Sequence, residues 1–301
     1  MSQQPKRIKR AISGWVVLDK PYNMTSTQAV GKIRWLFGAA KAGHAGTLDP
    51  LATGILPIAL GEATKAVPQV QDGTKVYRFA IRWGSATTTD DTEGEVIATS
   101  EVRPERSALE AILPQFTGTI LQRPPIFSAL KIDGERAYDL ARAGEIVELA
   151  PREIDIDAIA IIEHGPEQTI LEVTCGKGTY VRSLARDIGE ALGTRGHVSM
   201  LHRAAVGPFN DADAVTIDQL EALDPTERDA VLRPVWSGFV DLPEIRLDAL
   251  QANAVRHGNS VLLTGAGAPV ALEECWASWK GEVMATGWVE FGQFQPRRVF
   301  N

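Results

Sequence analysis

Residues 44–54 read HAGTLDPLATG, and this stretch places one carboxylate, Asp49, on irregular backbone just before an apolar strand. Pro50 biases Asp49 away from helical angles, and the glycines on either side permit tight backbone paths. The apolar run over 55–60 predicts a buried strand that anchors the loop. Loops anchored by a core commonly carry functional side chains. An Asp-Pro step is also typical of a plain turn, so the stretch alone is compatible with both interpretations.

Four further motifs follow a fixed order along the chain. They are GWVVLDKP at 14–21, GEATK at 61–65, KVYR at 75–78 and CGKGTYVRSL at 175–184. Together with 44–54 they closely resemble the bacterial tRNA pseudouridine synthase B family, along nearly the whole chain. Five motifs in order are far more specific than any one of them. The resemblance implies conversion of uridine to pseudouridine at position 55 of tRNA, in the T loop, with no metal or organic cofactor.

The resemblance assigns three catalytic residues. Asp49 is expected to act as the nucleophile or to stabilise positive charge at the sugar, both of which suit a carboxylate. Arg182 is expected to pair with that carboxylate, and Tyr77 to stack on a flipped-out uracil. Proton transfer by Tyr77, and attack by Asp49 on ring or sugar, both remain open. On sequence grounds alone, Arg182 also fits a solvated helix face, the usual location of an arginine.

Four more residues match positions that the family uses to bind substrate: His44, Tyr180, Leu201 and Lys20. A histidine bonded to backbone groups has the same sequence signature as His44. Leu201 also fits a core position. Lys20 is expected to brace the Asp49 loop or to meet a phosphate, rather than to act as a nucleophile.

Charge is distributed unevenly. The net charge of −7 argues at first against a nucleic-acid partner, yet residues 1–82 hold 12 Lys and Arg against four acids. A second positive cluster comprises Lys177, Arg182, Arg186, Arg195 and Arg203. Basic residues gathered on one face could neutralise RNA phosphates, while the acids elsewhere keep the protein soluble. Scattered solvated charges are the alternative interpretation.

Several classes of function are disfavoured by what the sequence lacks. It has no apolar run of about 18 residues and no signal-peptide pattern, so a cytoplasmic protein without membrane contact is expected. Cys175 and Cys275 are far apart, which favours two free, non-catalytic thiols. The five histidines do not cluster with acids at ligand spacing, and no phosphate-binding glycine loop occurs. We therefore expect no metal and no cofactor, with tRNA as the partner of a monomer that needs no protein partner.

The resemblance also implies the architecture: an α+β fold with a mixed, mostly antiparallel sheet and flanking helices, the pseudouridine synthase fold. Residues 1–245 are expected to form the catalytic domain. A thumb-like insertion near 122–150 is expected to grip the RNA loop, with Arg123, Lys131 and Arg136 available for phosphates. Residues 246–301 are similar to the β-rich PUA RNA-binding domain. The alternative interpretation is that the insertion is a loop with no role in RNA binding.

Two other functions fit parts of this pattern. A non-catalytic RNA-binding protein or tRNA-folding chaperone would use the basic face and the PUA-like module, but would not need the carboxylate of Asp49. A related uridine isomerase could act on another RNA, as the guide-RNA relatives of archaea and eukaryotes do. The short module at 246–301 and the absence of a Lys-rich tail favour the stand-alone bacterial type.

Overall fold

The computed structural model of the chain describes residues 9–127 and 149–301, with the backbone of 131–132 and 135–136 between them. Within this part of the chain, the strands in order are β1 Gly14–Lys20, β2 Ala42–His44, β3 Thr53–Leu60, β4 Lys75–Trp83, β5 Ser85–Thr87, β6 Val96–Thr99, β7 Gly118–Gln122, β8 Lys131–Ile132, β9 Glu135–Arg136, β10 Arg152–His164, β11 Gln168–Cys175, β12 Gly196–Val206, β13 Phe209–Asn210, β14 Glu244–Arg246, β15 Val261–Leu262, β16 Leu272–Trp279, β17 Glu282–Glu290 and β18 Gln293–Val299.

The α-helices of the same residues are α1 Ser26–Phe37, α2 Val67–Asp72, α3 Arg106–Ile112, α4 Val181–Ala191, α5 Ile217–Ala222 and α6 Ala249–Arg256. The spacing of Thr25 and Gln28 predicts a capping box at the start of a helix. Helix α1 begins there: the Thr25 hydroxyl accepts from the Gln28 amide, and the Gln28 side chain accepts from the Thr25 amide. It ends at Gly38, whose φ of 62° is a left-handed conformation that glycine adopts without strain. None of the described helices is long and apolar enough to span a membrane.

The chain divides into two compact units. The first contains the residues up to 50, 55–72 and 206–301; the second contains 51–54 and 73–205. In the first unit β1 lies beside β3, and β2 pairs antiparallel with β3 so that His44 faces Ile58. The core of this unit joins early and late segments, because Trp15 is fully buried together with Phe239 and Phe300.

Residues 298–301 are held on the short helical segment at 61–65. The Lys65 ammonium donates to the Val299 carbonyl at 2.9 Å, and Arg298 donates to the Lys65 carbonyl at 2.9 Å. Glu62 accepts from the Asn301 amide at 2.8 Å. The last strand and the segment that follows the Asp49 loop are therefore parts of one packed body.

The first unit also contains a five-stranded sheet in the order β14-β16-β17-β18-β15. Pairs β16–β17, β17–β18 and β15–β18 are antiparallel, and β14–β16 is parallel. Helix α6 buries Ala252 and Val255 in the core of this sheet. The β-rich module that the sequence predicts in this region is present as a mixed sheet with one helix.

In the second unit, strands follow the order β12-β4-β11-β10-β7. The pairs β4–β11, β10–β11 and β7–β10 are antiparallel. Helix α4 packs on this sheet with Val181, Leu184, Ala185 and Ile188, the four positions whose spacing predicts the helix, and all four are buried. The predicted class, α+β with a mostly antiparallel mixed sheet, is confirmed.

The predicted insertion near 122–150 lies largely outside the described residues. Strands β8 and β9 form an antiparallel pair, with Lys131 opposite Arg136. Residues 128–130, 133–134 and 137–148, and the side chains of Lys131 and Arg136, lie outside the described residues, so the role of the insertion stays a prediction.

Candidate active site

A buried lysine braces the loop that carries Asp49. Lys20 is 0% exposed at the end of β1. Its ammonium donates to the carbonyls of Pro21 at 2.9 Å, Met24 at 2.7 Å and Pro50 at 3.2 Å. An ammonium has three N–H donors, and here each has an acceptor. Lys20 thus ties the end of β1 to the residue that follows Asp49, whereas its predicted contact with the substrate stays a prediction.

Removing this ammonium is expected to loosen the loop. Lys20→Met removes the ammonium that donates to the Pro21, Met24 and Pro50 carbonyls, of which Pro50 keeps the Asn23 amide as a donor, so the free energy of unfolding should fall by about 2 to 4 kcal/mol. Lys32→Met is the matched control, because Lys32 pairs with Glu221 at the surface and its loss should cost less than about 1 kcal/mol. Urea unfolding of both variants measures the difference. Equal losses in the two variants would show that Lys20 does not brace the loop.

A second brace holds the residue before Asp49. Ser26, buried in the first turn of α1, donates through Oγ to the Leu48 carbonyl at 3.0 Å and accepts from the Leu48 amide at 2.9 Å. The Asn23 amide donates to the Pro50 carbonyl at 2.8 Å. Asp49 is half-buried between these fixed neighbours. Its backbone is therefore held on both sides, which preorganises the carboxylate.

The far end of the same loop belongs to the second unit and is fixed on β12. Thr53 and Gly54 pair in parallel with His202 and Arg203. The Thr53 hydroxyl and His202 Nδ1 lie 3.0 Å apart. At Gly54 φ is +97°, and an added Cβ would lie 2.4 Å from the Arg203 carbonyl oxygen. Glycine is required here both by conformation and by close approach of the neighbouring strand.

Arg182 lies in the first turn of α4 and is only 8% exposed. Its Nη1 donates to the Thr89 carbonyl at 3.0 Å and lies 3.5 Å from Asp91 Oδ2. Its Nη2 donates to the Phe127 carbonyl at 3.0 Å. These contacts exclude the solvated-face interpretation of Arg182. The ion pair with Asp49 that the resemblance implies stays a prediction.

Three other predicted residues lie on the elements around Arg182. Tyr180 directly precedes α4, and its amide and carbonyl both bond to the buried side chain of Gln122, at 2.8 and 3.1 Å. Tyr77 on β4, opposite Val173, and Leu201 on β12 are half-buried and pack against the core of the unit. The second unit thus brings Tyr77, Tyr180, Arg182 and Leu201 onto one sheet and its helix. Lys20, His44 and Asp49 belong to the first unit.

The second positive cluster is used largely within the fold. Arg182 and Arg203 are 8% and 1% exposed. Arg186 pairs with Asp90 and Asp187, and Arg195 lies 3.5 Å from Glu190. A guanidinium that is buried or paired in this way contributes less to a phosphate-binding surface than its sequence position suggests.

The two cysteines, Cys175 and Cys275, are buried. Burial raises the pKa of each thiol to about 11, which keeps it protonated at neutral pH.

Sequence reasoning missed the partners of Arg182. The polar, turn-rich sequence of residues 87–94 predicts only a loop between strands, yet this loop presents buried Asp91 and the Thr89 carbonyl to the arginine. Gln122 was likewise assigned no role. The sequence does show two adjacent acids, Asp90 and Asp91, in a threonine-rich loop. Their spacing does not indicate that they contact α4.

The chain is similar to known proteins along its whole length. A family model described as TruB family pseudouridylate synthase (N terminal domain) matches residues 34–181. Another, described as tRNA pseudouridylate synthase B C-terminal domain, matches 182–239. A Mesorhizobium japonicum protein named tRNA pseudouridine synthase B is 52% identical over 323 residues, covering 100% of this chain and 99% of the relative. A Brucella ovis protein of the same name is 51% identical over 321 residues, with the same coverage.

Solved structures show the same fold. A structure titled "Crystal Structure of a Cbf5-Nop10-Gar1 Complex" contains a chain that matches with a TM-score of 0.73 at 25% identity, covering 96% of this chain and 84% of that one. A second, an H/ACA RNP bound to a substrate RNA containing 2'-deoxyuridine, matches with a TM-score of 0.72 at 22% identity, covering 96% and 85%. With half of its residues identical to those of full-length relatives, the chain belongs to the TruB family of pseudouridylate synthases.

Proposed function

We propose that this protein converts uridine to pseudouridine at position 55, in the T loop of tRNA. Its full-length relatives carry the name tRNA pseudouridine synthase B, which supports tRNA as the substrate. The observation that carries the chemical part of the proposal is the half-buried Asp49 on a loop fixed by Lys20 and Ser26. A carboxylate held this rigidly suits a reaction in which charge develops at one defined atom.

The reaction breaks the bond from the ribose to ring nitrogen 1, turns the uracil and forms a bond from the ribose to ring carbon 5. The hydrogen on carbon 5 is lost to water, and nitrogen 1 ends with a proton, so atoms balance without a cofactor. We assign Asp49 the role of nucleophile, at ring or sugar. We also propose that Arg182 forms an ion pair with the carboxylate of Asp49, because an arginine can bind a carboxylate through two parallel hydrogen bonds.

A stacked uridine must leave the T loop before it can react. We assign Tyr77 to stack on the flipped base, His44 to the space that the base vacates, and Tyr180 and Leu201 to the pocket wall. Residues 1–245 are proposed as the catalytic domain and 246–301 as a PUA-like domain that adds RNA contacts. Because the proposed substrate is tRNA, the cytoplasm is the proposed site of action.

The chain is proposed to act alone on tRNA. The solved structure with a TM-score of 0.73 names Nop10 and Gar1 together with its matching protein, whereas the relatives at half identity carry a name that states only tRNA. This contrast favours a stand-alone enzyme over a guide-dependent one.

The test is tritium release from an unmodified tRNA transcript labelled on carbon 5 of its uridines. We expect the purified protein to release one equivalent of tritium per transcript, and none from a transcript with cytidine at position 55. Release from both transcripts would place the target elsewhere in the tRNA. Tight binding of tRNA with no release from either would support the non-catalytic RNA-binding or chaperone function instead.

A further inference from the structure

Arg186 lies one turn after Arg182 on α4 and connects two segments that are far apart in sequence. Its Nη1 donates to Asp90 Oδ2 at 2.9 Å, and its Nη2 donates to the Arg123 carbonyl at 3.0 Å. Its Nε donates to Asp187 Oδ1 at 2.9 Å. Each of the three guanidinium nitrogens therefore has a protein acceptor, which is the arrangement of a structural clamp rather than of an exposed phosphate ligand.

The same two segments bind Arg182. The Thr89 carbonyl adjoins Asp90, and the Phe127 carbonyl lies on the stretch that begins at Arg123. Side chains at positions i and i+4 of a helix share one face, so the two arginines contact one pair of segments at successive turns of α4. The bonds from Arg186 therefore hold in place the segments that carry the Thr89 and Phe127 carbonyls, and these carbonyls orient Arg182.

The segment at 89–91 needs such a clamp because its backbone is unusual. Asp90 has a φ of +60°, a left-handed conformation that costs energy for a residue with a side chain. Its carbonyl accepts from the Val198 amide at 2.9 Å, which fixes the turn on β12. Burial raises the pKa of the Asp90 carboxyl, and the charge of Arg186 opposes that rise. Arg186 thus favours the charged form of the side chain it holds.

We propose that Arg186 is a positioning residue that acts through Arg182: it holds the segments at 89–91 and 123–127 so that their carbonyls aim Arg182 at the reacting site. The inference rests on the proposed catalytic role of Arg182. It predicts that loss of Arg186 slows the chemical step and leaves tRNA affinity unchanged, because each guanidinium nitrogen of Arg186 already donates to a protein acceptor.

Arg186→Gln removes the clamp, and Arg106→Gln is the matched control, since Arg106 pairs at the surface with Glu110 one turn away at 2.8 Å. In single-turnover tritium release at saturating enzyme, we expect Arg186→Gln to lower the rate constant about 10- to 100-fold, the cost of a small displacement of a catalytic group. The Kd for tRNA should change less than about twofold, and the control should match wild type. Weaker and less salt-sensitive tRNA binding by Arg186→Gln would instead identify a phosphate contact and overturn the proposal.

A double-mutant cycle separates positioning from general loss of structure. In a protein that already carries Arg182→Lys, adding Arg186→Gln should change the rate constant less than about twofold, because the residue through which Arg186 acts is gone. Multiplicative effects of the two changes would overturn the inference. Asp90→Asn provides a second route if Arg186→Gln does not fold, and it should reproduce the slower rate. A wild-type protein without tritium release would refute the proposed function itself, whereas an active wild type with a fully active Arg186→Gln would refute only this inference.

Discussion

Asp49→Asn is expected to abolish tritium release from tRNA while tRNA binding persists. The amide keeps the shape of the side chain and its half-buried position, but it removes the negative charge and the nucleophilic oxygen. The single-turnover rate constant should fall by about 1,000-fold or more, as is typical when a nucleophile is removed. The Kd for tRNA should stay within about threefold, because basic side chains supply most of the affinity for RNA.

Asp218→Asn is the control for the lost charge. Asp218 lies exposed in the first turn of α5, so its substitution removes one carboxylate from the surface without touching the Asp49 loop. We expect wild-type rates from it. If binding and turnover fell together in Asp49→Asn, the carboxylate would be a binding or folding group rather than the reacting one.

Gly54→Ala is expected to destabilise the fold strongly. Its Cβ would lie 2.4 Å from the carbonyl oxygen and 2.9 Å from the amide nitrogen of Arg203, both backbone atoms of a paired strand. The φ of +97° adds strain for any residue with a side chain. The free energy of unfolding should fall by at least about 3 kcal/mol, from strain and overpacking together.

Gly43→Ala provides the comparison from the neighbouring strand. No atom lies within 4 Å of an added Cβ at Gly43, so the change should cost less than about 1 kcal/mol. Thermal unfolding of the two variants measures the contrast. A Gly54→Ala protein as stable as the Gly43→Ala protein would mean that β3 and β12 can separate at this point without loss.

The sequence predicts best those features that local patterns determine. The capping box at Thr25 and the spacing of Val181, Leu184 and Ile188 predict the start of α1 and the buried face of α4, and both are confirmed. In each case the determining residues lie within one or two turns of the chain, or within one motif.

Contacts between distant segments could not be predicted in the same way. Arg182 binds the Thr89 and Phe127 carbonyls, and no side-chain pattern signals which backbone oxygen a helix will contact. In the sequence, Arg186 is one more positive charge of the second cluster. In the fold, it forms ion pairs with Asp90 and Asp187. Formal charge per segment is therefore a poor guide to surface potential where acids and arginines meet inside a unit.

The contact of residues 298–301 with the segment at 61–65 has a consequence for the order of events during synthesis. The unit that carries Asp49 cannot be completed until Asn301 has left the ribosome, since Glu62 and Lys65 bond to Asn301 and Val299. Translation of the intervening residues takes on the order of tens of seconds. The continuous stretch 73–205 can fold in that interval. We therefore expect the nascent chain to stay inactive until residues 298–301 have been synthesised and have emerged from the ribosome.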